Sequence, residues 1–247
     1  MKRRPGWQVT LALILIALSA LVYYVHYLIF RDPHHIFLYF VGDIGFVFFE
    51  VLLVTLIIHR LLHHREQRAI RDKVHMLVGA FYSELGTQLL RWFAETDEHS
   101  HRLPDRLITP HDWSEAEFLG IRETTGSHDA AVDSRALDLE ALKSFLLEHK
   151  RLLLDFLLSE SLVQNEPFTN LVWAAYHLAK ELEHRGSLAD LPVSDREHLN
   201  GDISRVYELL LVQWTDYMDH LRRSHPHLFS LATRTNPFDR TASVEVR

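Results

Sequence analysis

Two carboxylates stand inside one of the most apolar stretches of the chain. Asp43 and Glu50 lie in the run Ile36–Ile58, IFLYFVGDIGFVFFEVLLVTLII, whose other residues are typical of a membrane-spanning helix. An aspartate at the centre of such a helix costs about 2.5–3.5 kcal/mol to insert into a bilayer. Because the two acids are seven positions apart, at about 100° per residue their directions differ by only about 20°. They share one helix face and need partners there.

The other apolar run, Trp7–Phe30, contains candidate partners. Ser19, Tyr23 and His26 follow one another at spacings typical of a single helix face. If the two runs form an antiparallel hairpin that turns near Pro33, Tyr23 and His26 lie at the depth of Asp43, and Ser19 lies nearer that of Glu50. Hydroxyl and imidazole groups can then hydrogen-bond to the carboxylates.

Three roles for these five polar residues remain open. They can hold the hairpin or an oligomer together, with the carboxylates protonated because burial disfavours their charge. They can line a proton or ion path, which requires an oligomer because two helices cannot enclose a channel. They can also pair with basic residues of another membrane protein.

Both apolar runs exceed the roughly 20 residues that a helix needs to cross a bilayer. The first is longer than a signal peptide, and Leu18 makes Ala17–Ala20 a poor cleavage site, so we expect it to remain as an anchor. We predict spans at about 7–30 and 36–60 within a transmembrane hairpin, residues 1–62.

Basic residues orient the hairpin. Lys2, Arg3 and Arg4 precede the first span, whereas the connection Arg31–His35 contains a single arginine. A second basic group follows the other span and is suited to anionic lipid headgroups: Arg60, Arg65, Arg68, Arg71 and Lys73. The positive-inside rule therefore predicts a plasma (inner) membrane protein with both termini in the cytoplasm.

Charge and cysteine content exclude several function classes. Residues 1–75 contain nine Lys or Arg and five Asp or Glu, a net charge of +4, which leaves −11 for residues 76–247 of a chain that carries −7. An acidic domain does not favour nucleic acid as a partner. The absence of cysteine excludes disulfides, thiol catalysis and cysteine-ligated metal.

The remaining sequence predicts helices without strands. No breaker separates the second span from residues 63–96, so we expect one long helix from Ile36 to about Ala94 that continues as a basic juxtamembrane and stalk segment. A loop-rich segment, 97–136, should contain one short helix that begins at Thr109–Asp112. We therefore predict an all-α fold.

Residues 137–247 are predicted to form a helical bundle. Its helices should cover Leu139 to about Leu162, Phe168–Arg185, and a last segment that begins at the capping box Ser194–Glu197 and ends near Arg223. The apolar tail residues beyond it are expected to dock on this bundle or on a partner chain: Leu228, Phe229, Leu231 and Phe238.

Candidate catalytic and metal-binding groups are weak. Glu181 and His184 form an E-x-x-H, but with His177 they point away from the apolar face of their helix, so we interpret them as solvated. The group Asp216, Asp219 and His220 and the pairs His99/His101 and His63/His64 are also interpreted as ordinary surface. No nucleophile elbow, phosphate loop, zinc-protease motif or dinucleotide motif is present. We predict no metal site, no cofactor and no enzymatic activity.

Three segments carry a resemblance: VGDIGFVFFEVLLVTLIIHRLL, LVGAFYSELGTQLL and HPHLFSLATRTNPFDRTASV. They resemble an uncharacterised family of prokaryotic proteins with two transmembrane helices and a cytosolic helical domain. The resemblance implies the two-span plan and brings no activity, cofactor or site residue.

The sequence thus favours a membrane-anchored interaction or signalling module that forms a homo-oligomer and meets a cytosolic protein partner. The alternative is an oligomeric ion or proton channel that uses Asp43 and Glu50. A membrane-tethered, metal-dependent hydrolase is a more distant third hypothesis.

Overall fold

The computed structural model describes residues 7–108, 113–162 and 165–245. Its described residues form helices joined by turns, and an isolated backbone bridge between Asp97 and Val132 is the one β-type pairing among them. The predicted all-α fold is therefore confirmed. The chain divides into two compact units, Met1–Glu66 and Gln67–Arg247.

The first unit contains α1, Trp7–Phe30, and the beginning of α2, Pro33–Phe81. A two-residue turn joins them, and Arg31 adopts a left-handed backbone conformation there, with φ of 50°. The Oδ1 atom of Asp32 accepts a hydrogen bond from the His34 backbone N–H at 2.9 Å. This aspartate supplies an acceptor to the first turn of α2, as N-terminal capping residues do.

Apolar side chains of the first unit are exposed along both helices. Two helical stretches, Trp7–Phe30 and Ile36–Thr96, are long and apolar enough to cross a membrane, and no residue of their apolar windows is buried. Core helices of soluble proteins pass the same composition test with most of their apolar residues buried. The apolar windows of these two stretches do not share that property, although the later part of the second stretch contributes buried residues to a core.

The helix that begins at Pro33 continues far beyond the apolar stretch. A single π-helical turn, Tyr82–Gly86, follows α2, and α3, Thr87–Thr96, follows that turn with helical backbone angles at the junctions. The Tyr82 carbonyl accepts the backbone N–H of Thr87, five residues later, and also the Thr87 hydroxyl at 2.8 Å. One long helix from Ile36 to about Ala94 is therefore confirmed.

In the second unit, α8 is the central helix. It contacts α3, α4, α7 and α9, while α7 also packs on α5 and α6. The helices are α4 Glu115–Gly126, α5 Leu139–Glu148, α6 Lys150–Leu157, α7 Glu166–His184, α8 Val193–Ser224 and α9 Pro226–Arg234. Fully buried side chains of these helices, of the end of α2 and of the π-helical turn form one core, among them Phe81, Leu85, Leu142, Phe168 and Tyr207.

Two helix starts that the sequence predicts are not confirmed within the described residues. The first, at residues 109–112, lies outside them. Helix α4 begins at Glu115, with a capping box between Ser114 and Glu117. The capping box predicted at Ser194 is wrong. Helix α8 already begins at Val193 after Pro192, without a side-chain cap, so Ser194 lies inside the first turn.

The single helix predicted for Leu139 to about Leu162 is also wrong. The segment forms two helices: α5 ends at Glu148, and α6 begins at Lys150 and ends at Leu157. At the break, the His149 ring Nδ1 lies 2.8 Å from the Phe145 carbonyl oxygen, one turn earlier. A side chain that bonds to its own preceding turn offers the backbone an alternative to the helical ladder.

The connection between α4 and α5 is tied to α8 by a regular set of hydrogen bonds. The backbone N–H groups of residues 130, 132 and 134 donate to side chains of Glu208, Ser204 and Asn200, at 3.0–3.1 Å. Two residues of an extended chain cover about 6.6 Å, and four residues of a helix cover about 6 Å, so the two spacings nearly match. The match lets one stripe of α8 hold an irregular segment.

The C-terminal tail packs unevenly. Phe229 and Phe238 contact the core, and the Phe238 ring lies edge-on to Trp214 with centroids 5.0 Å apart. Buried Asn236 donates from Nδ2 to the Leu107 carbonyl at 2.7 Å. Leu228 and Leu231, which were expected to dock as well, are exposed, so within the described chain these two do not contribute to the docking.

Candidate functional site

The polar residues of the apolar helices come together only in part. The Tyr23 hydroxyl donates to Asp43 Oδ2 at 3.4 Å, and the Tyr23 ring meets Phe40 edge-on at 6.1 Å between centroids. A cavity of about 560 Å³ has Ser19, Tyr23, His26 and Asp43 among its lining residues. Asp43 thus has a hydrogen-bond donor within its own unit.

Glu50 is placed differently. It is exposed on α2 and does not line that cavity, and no other residue that the structure describes makes a hydrogen bond or ion pair with it. Ser19, expected nearer the depth of Glu50, lines the same cavity as Asp43. The two carboxylates therefore have different surroundings although they share one helix.

The five predicted headgroup-binding residues are all exposed. Each lies on α2, and in the described ranges none of them forms a salt bridge: Arg60, Arg65, Arg68, Arg71 and Lys73. Unpaired cations on one helix remain available to anionic groups from outside the chain.

In the second unit, the E-x-x-H motif does not form a pair. The ring Nδ1 of exposed His184 lies 2.7 Å from the Lys180 carbonyl of its own helix. Glu181 faces α8 instead, where it approaches His198. The histidine that sequence spacing associated with Glu181 is therefore not the one that the fold brings to it.

Helices α7 and α8 bring three potential metal ligands together: His177, His198 and Asp202. Asp202 Oδ2 lies 3.4 Å from His198 Nε2 and 3.6 Å from His177 Nε2. One ligand atom from each residue lies within 4.8 Å of the others. We call these three residues the His–His–Asp cluster.

Helical spacing explains how the cluster is built. His177 and Glu181 are four residues apart on α7, and His198 and Asp202 are four apart on α8, so each pair shares a helix face. His177 meets Asp202 while Glu181 meets His198, at 3.9 Å between Oε2 and Nε2. The two helices therefore run antiparallel here, and four polar side chains meet between them.

The three side chains of the cluster differ in their exposure to solvent. The Asp202 side chain is 7 % exposed, whereas those of His177 and His198 are 51 % and 55 % exposed. Within the described chain, Asp202 Oδ2 is buried and has no hydrogen-bond partner. A buried carboxylate oxygen is expected to have a donor or a cation beside it.

Arg185 holds the fourth residue, Glu181, in place. Its Nη1 donates to Glu181 Oε2 at 2.8 Å, and its Nη2 and Nε bond to both carboxylate oxygens of Asp195 at 2.6 and 3.0 Å. The Arg185 hydrogen bond is the main cause that lowers the pKa of Glu181, and the same holds for Asp195. Both acids are therefore ionised at neutral pH.

The cluster lies on the wall of a cavity of about 640 Å³. His177 and Asp202 line it together with apolar residues such as Trp173 and Leu209 and the charged residues Arg205 and Glu208. A ligand bound at the cluster could therefore be reached from this cavity. Pockets with mostly apolar walls and a few converging polar groups are typical of small-molecule sites.

Comparison with known proteins places the chain in a family. One family model, described as the C-terminal helical domain of the uncharacterized protein MJ1433, matches residues 70–234, and a second, for the N-terminal helical domain of MJ1433, matches residues 2–62. The uncharacterized protein MJ1433 of Methanocaldococcus jannaschii is 39% identical over 238 residues, which cover 96% of each chain. The chain belongs to the MJ1433 family. No solved structure matches it.

The resemblance stated from the sequence is thereby confirmed at the level of an uncharacterised helical-domain family. The two MJ1433 domain models match segments on either side of residues 63–69. The boundary between the two compact units, after Glu66, falls in the same interval. The membrane character of the family is not part of these matches.

The His–His–Asp cluster of this MJ1433-family chain was missed by the sequence analysis. The signal that could have found it is a pair of i, i+4 spacings, H-x-x-x-E at 177–181 and H-x-x-x-D at 198–202. Such spacings on solvated helix faces are common, and only the packing of α7 on α8 makes two of them converge.

Proposed function

We propose that this protein is a membrane-anchored interaction or signalling module. Its two apolar helices anchor it in the plasma (inner) membrane with both termini in the cytoplasm. The helical domain, Gln67–Arg247, meets a cytosolic protein partner, and the chain forms a homo-oligomer. Membrane lipid contacts its apolar helices, and nucleic acid is not among its partners.

The exposed apolar surface of α1 and α2 carries the proposal. Large side chains such as Leu13, Ile16, Phe48 and Leu52 are more than half exposed. At about 1.5 Å per residue, the 24 residues of α1 span about 36 Å, enough to cross the roughly 30 Å of bilayer hydrocarbon. Apolar surface on this scale is unfavourable in water and favourable in lipid.

Cysteine labelling tests the proposed topology cleanly because the chain has no cysteine of its own. We expect a His34→Cys variant to react with a membrane-impermeant maleimide in intact cells. A Ser187→Cys variant, in the exposed α7–α8 connection, should react only after lysis. Labelling of both variants in intact cells, or of neither, would contradict the topology, and recovery of the full chain in the soluble fraction would contradict the anchor.

An oligomeric ion or proton channel is the second candidate, and the placement of Glu50 favours it. A carboxylate exposed in an apolar span, without a partner in the described chain, is unfavourable in lipid. A second copy that packs on the same face would shield it. Asp43, with Tyr23 as donor, needs no second copy for its hydrogen bond.

Replacement of the two acids separates the candidates. The variants are Asp43→Asn and Glu50→Gln, studied by mass measurement in detergent and by ion flux in proteoliposomes. A channel predicts that Glu50→Gln reduces the flux while the oligomer persists. If Glu50→Gln instead disrupts the oligomer and the native protein carries no flux, the acid has a structural role and the module stands without the channel.

A further inference from the structure

We propose that His177, His198 and Asp202 bind one divalent transition-metal ion, with zinc as the best match to the ligand set. The three residues lie in the second unit, between α7 and α8. The proposal therefore does not depend on whether the first unit crosses a membrane.

The distances fit a metal site. With metal–nitrogen and metal–oxygen bonds of about 2.0–2.2 Å, tetrahedral ligand atoms are about 3.3–3.6 Å apart. Asp202 Oδ2 lies 3.4 and 3.6 Å from the two histidine Nε2 atoms. The two histidine nitrogens lie within 4.8 Å of each other, so a single ion can bind all three residues once the half-exposed imidazole rings turn toward it.

The buried oxygen of Asp202 provides a second, independent argument. Its side chain is more than nine-tenths buried, and Oδ2 faces both imidazoles without a hydrogen bond to any residue that the structure describes. Burial of a carboxylate oxygen without a hydrogen bond is costly. A cation between this oxygen and the two nitrogens removes that cost.

The ligand types select the ion. Two imidazoles and one carboxylate suit zinc and its first-row neighbours, whereas calcium and magnesium prefer oxygen ligands throughout. Three protein ligands leave a coordination position open, as in catalytic zinc sites, while structural zinc sites have four. The adjoining cavity of about 640 Å³ gives a small molecule access to that position.

Glu181 supports the cluster from outside. Its oxygens lie 3.9 Å from Nε2 of His177 and from Nε2 of His198, and Arg185 keeps it ionised and oriented. A carboxylate fixed at this distance by Arg185 favours a cation at the cluster. We therefore assign Glu181 a positioning role and not that of a metal ligand.

The test uses the full chain, purified in detergent, with any histidine tag removed and metal stripped by a chelator. Zinc binding is measured by titration and by metal analysis after dialysis. The variants are His177→Gln and His198→Gln, whose half-exposed side chains make misfolding improbable. His184→Gln is the matched control, because His184 is exposed on the same helix and lies outside the cluster.

We expect one zinc ion per chain that is lost, or bound at least tenfold more weakly, in both cluster variants and retained in the control. The thermal midpoint should rise with zinc in the native protein and the control only. Cobalt in place of zinc should give the visible absorption typical of a four-coordinate site, absent in both cluster variants. Equal binding by all three variants, equal loss in all three, or no binding by the native protein would overturn the proposal.

Discussion

Two glycines on the long helix show how much one hydrogen-to-methyl change depends on its surroundings. A Cβ atom at Gly86 would lie 2.7 Å from Tyr82 Cδ1 and 2.8 Å from Phe81 Cε1. Both rings are buried, and the Tyr82 hydroxyl is tied to the Leu210 carbonyl at 2.8 Å, so neither ring can move freely. At Gly79 the nearest atom is the Tyr217 hydroxyl oxygen, at an ordinary contact distance of 3.5 Å.

We therefore predict opposite effects of the same substitution. Gly86→Ala should lower the free energy of unfolding by about 1–3 kcal/mol because it overpacks the core. Gly79→Ala should raise it by about 0.5–1 kcal/mol because alanine loses less backbone entropy in a helix. Chemical unfolding of the two variants in the same detergent measures both. A destabilised Gly79→Ala protein, or an unchanged Gly86→Ala protein, would show that the side chains around these positions pack differently.

Single residues were also where sequence reasoning had its limits. The pairing of Tyr23 with Asp43 is the contact that matching depth in a hairpin suggests, because helical rise fixes depth. Sequence spacing places His198 one turn before Asp202 on the same helix, but it could not identify His177, which only the packing of α7 on α8 brings to this carboxylate. A buried pair, His128 with Asp97 at 2.8 Å, joins two loops and has no periodic signal either.

Elements with uninterrupted periodicity were predicted well. The helix that ends at Thr96 has no proline or turn cluster after Pro33. Because nothing in the sequence interrupts it, its length could be predicted. The break at His149 was missed because the apolar stripe continues across it, from Leu146 to Leu153. The false cap at Ser194 has a similar cause. An S-x-x-E pattern is compatible with the first turn of a helix as well as with a cap. Asp195, within the pattern, forms an ion pair with Arg185.

A contact between α2 and α8 gives the second unit a pH dependence. His75 and His220 stack with ring centroids 3.5 Å apart. Burial is the main cause that lowers the pKa of each below its usual value. The charge of His225 lowers both pKa values further. Arg71 also lowers the pKa of His75, and His75 also lowers the pKa of His220. Asp72 opposes the shift at both rings, and Asp219 opposes it at His220. Both rings are therefore favoured in the neutral form in the folded protein.

We predict that stability falls as the pH decreases through 6.5. Each ring has a lower pKa when folded than when unfolded, so the unfolded chain binds more protons in this range and gains stability relative to the folded one. His220→Gln should reduce the difference in thermal midpoint between pH 7.5 and pH 5.5. His227→Gln, at an exposed position, is the control and should leave it unchanged. Identical pH profiles of the native protein and His220→Gln would refute the contribution of the stack.

At the scale of the molecule, the two units differ in what stabilises them. The residues from Gln67 onward bury a common core that includes Phe81, Leu89, Leu142 and Leu210. In Trp7–Glu66, by contrast, the described side chains are almost all exposed, so the described part of this unit has no comparable buried core. The division predicts different solubility for the two parts.

We predict that residues 67–247, produced alone, fold in water without detergent. All the buried side chains of the core lie within this fragment, and its first turns contribute Val74 and Val78 to it. Far-ultraviolet circular dichroism should show a helical protein, and unfolding should be cooperative because one core spans the fragment.

A shorter fragment is the matched control. Residues 87–247 lack Val74, Val78, Phe81, Tyr82 and Leu85, whose side chains are at most 5 % exposed in the full chain. Removal of several large core side chains, each worth about 2–5 kcal/mol, exceeds the stability of an ordinary domain. The control should therefore aggregate or unfold without cooperativity. If it folds as well as residues 67–247, residues 67–86 of the long helix are not needed for the core, and the boundary of the folded domain lies further along the chain.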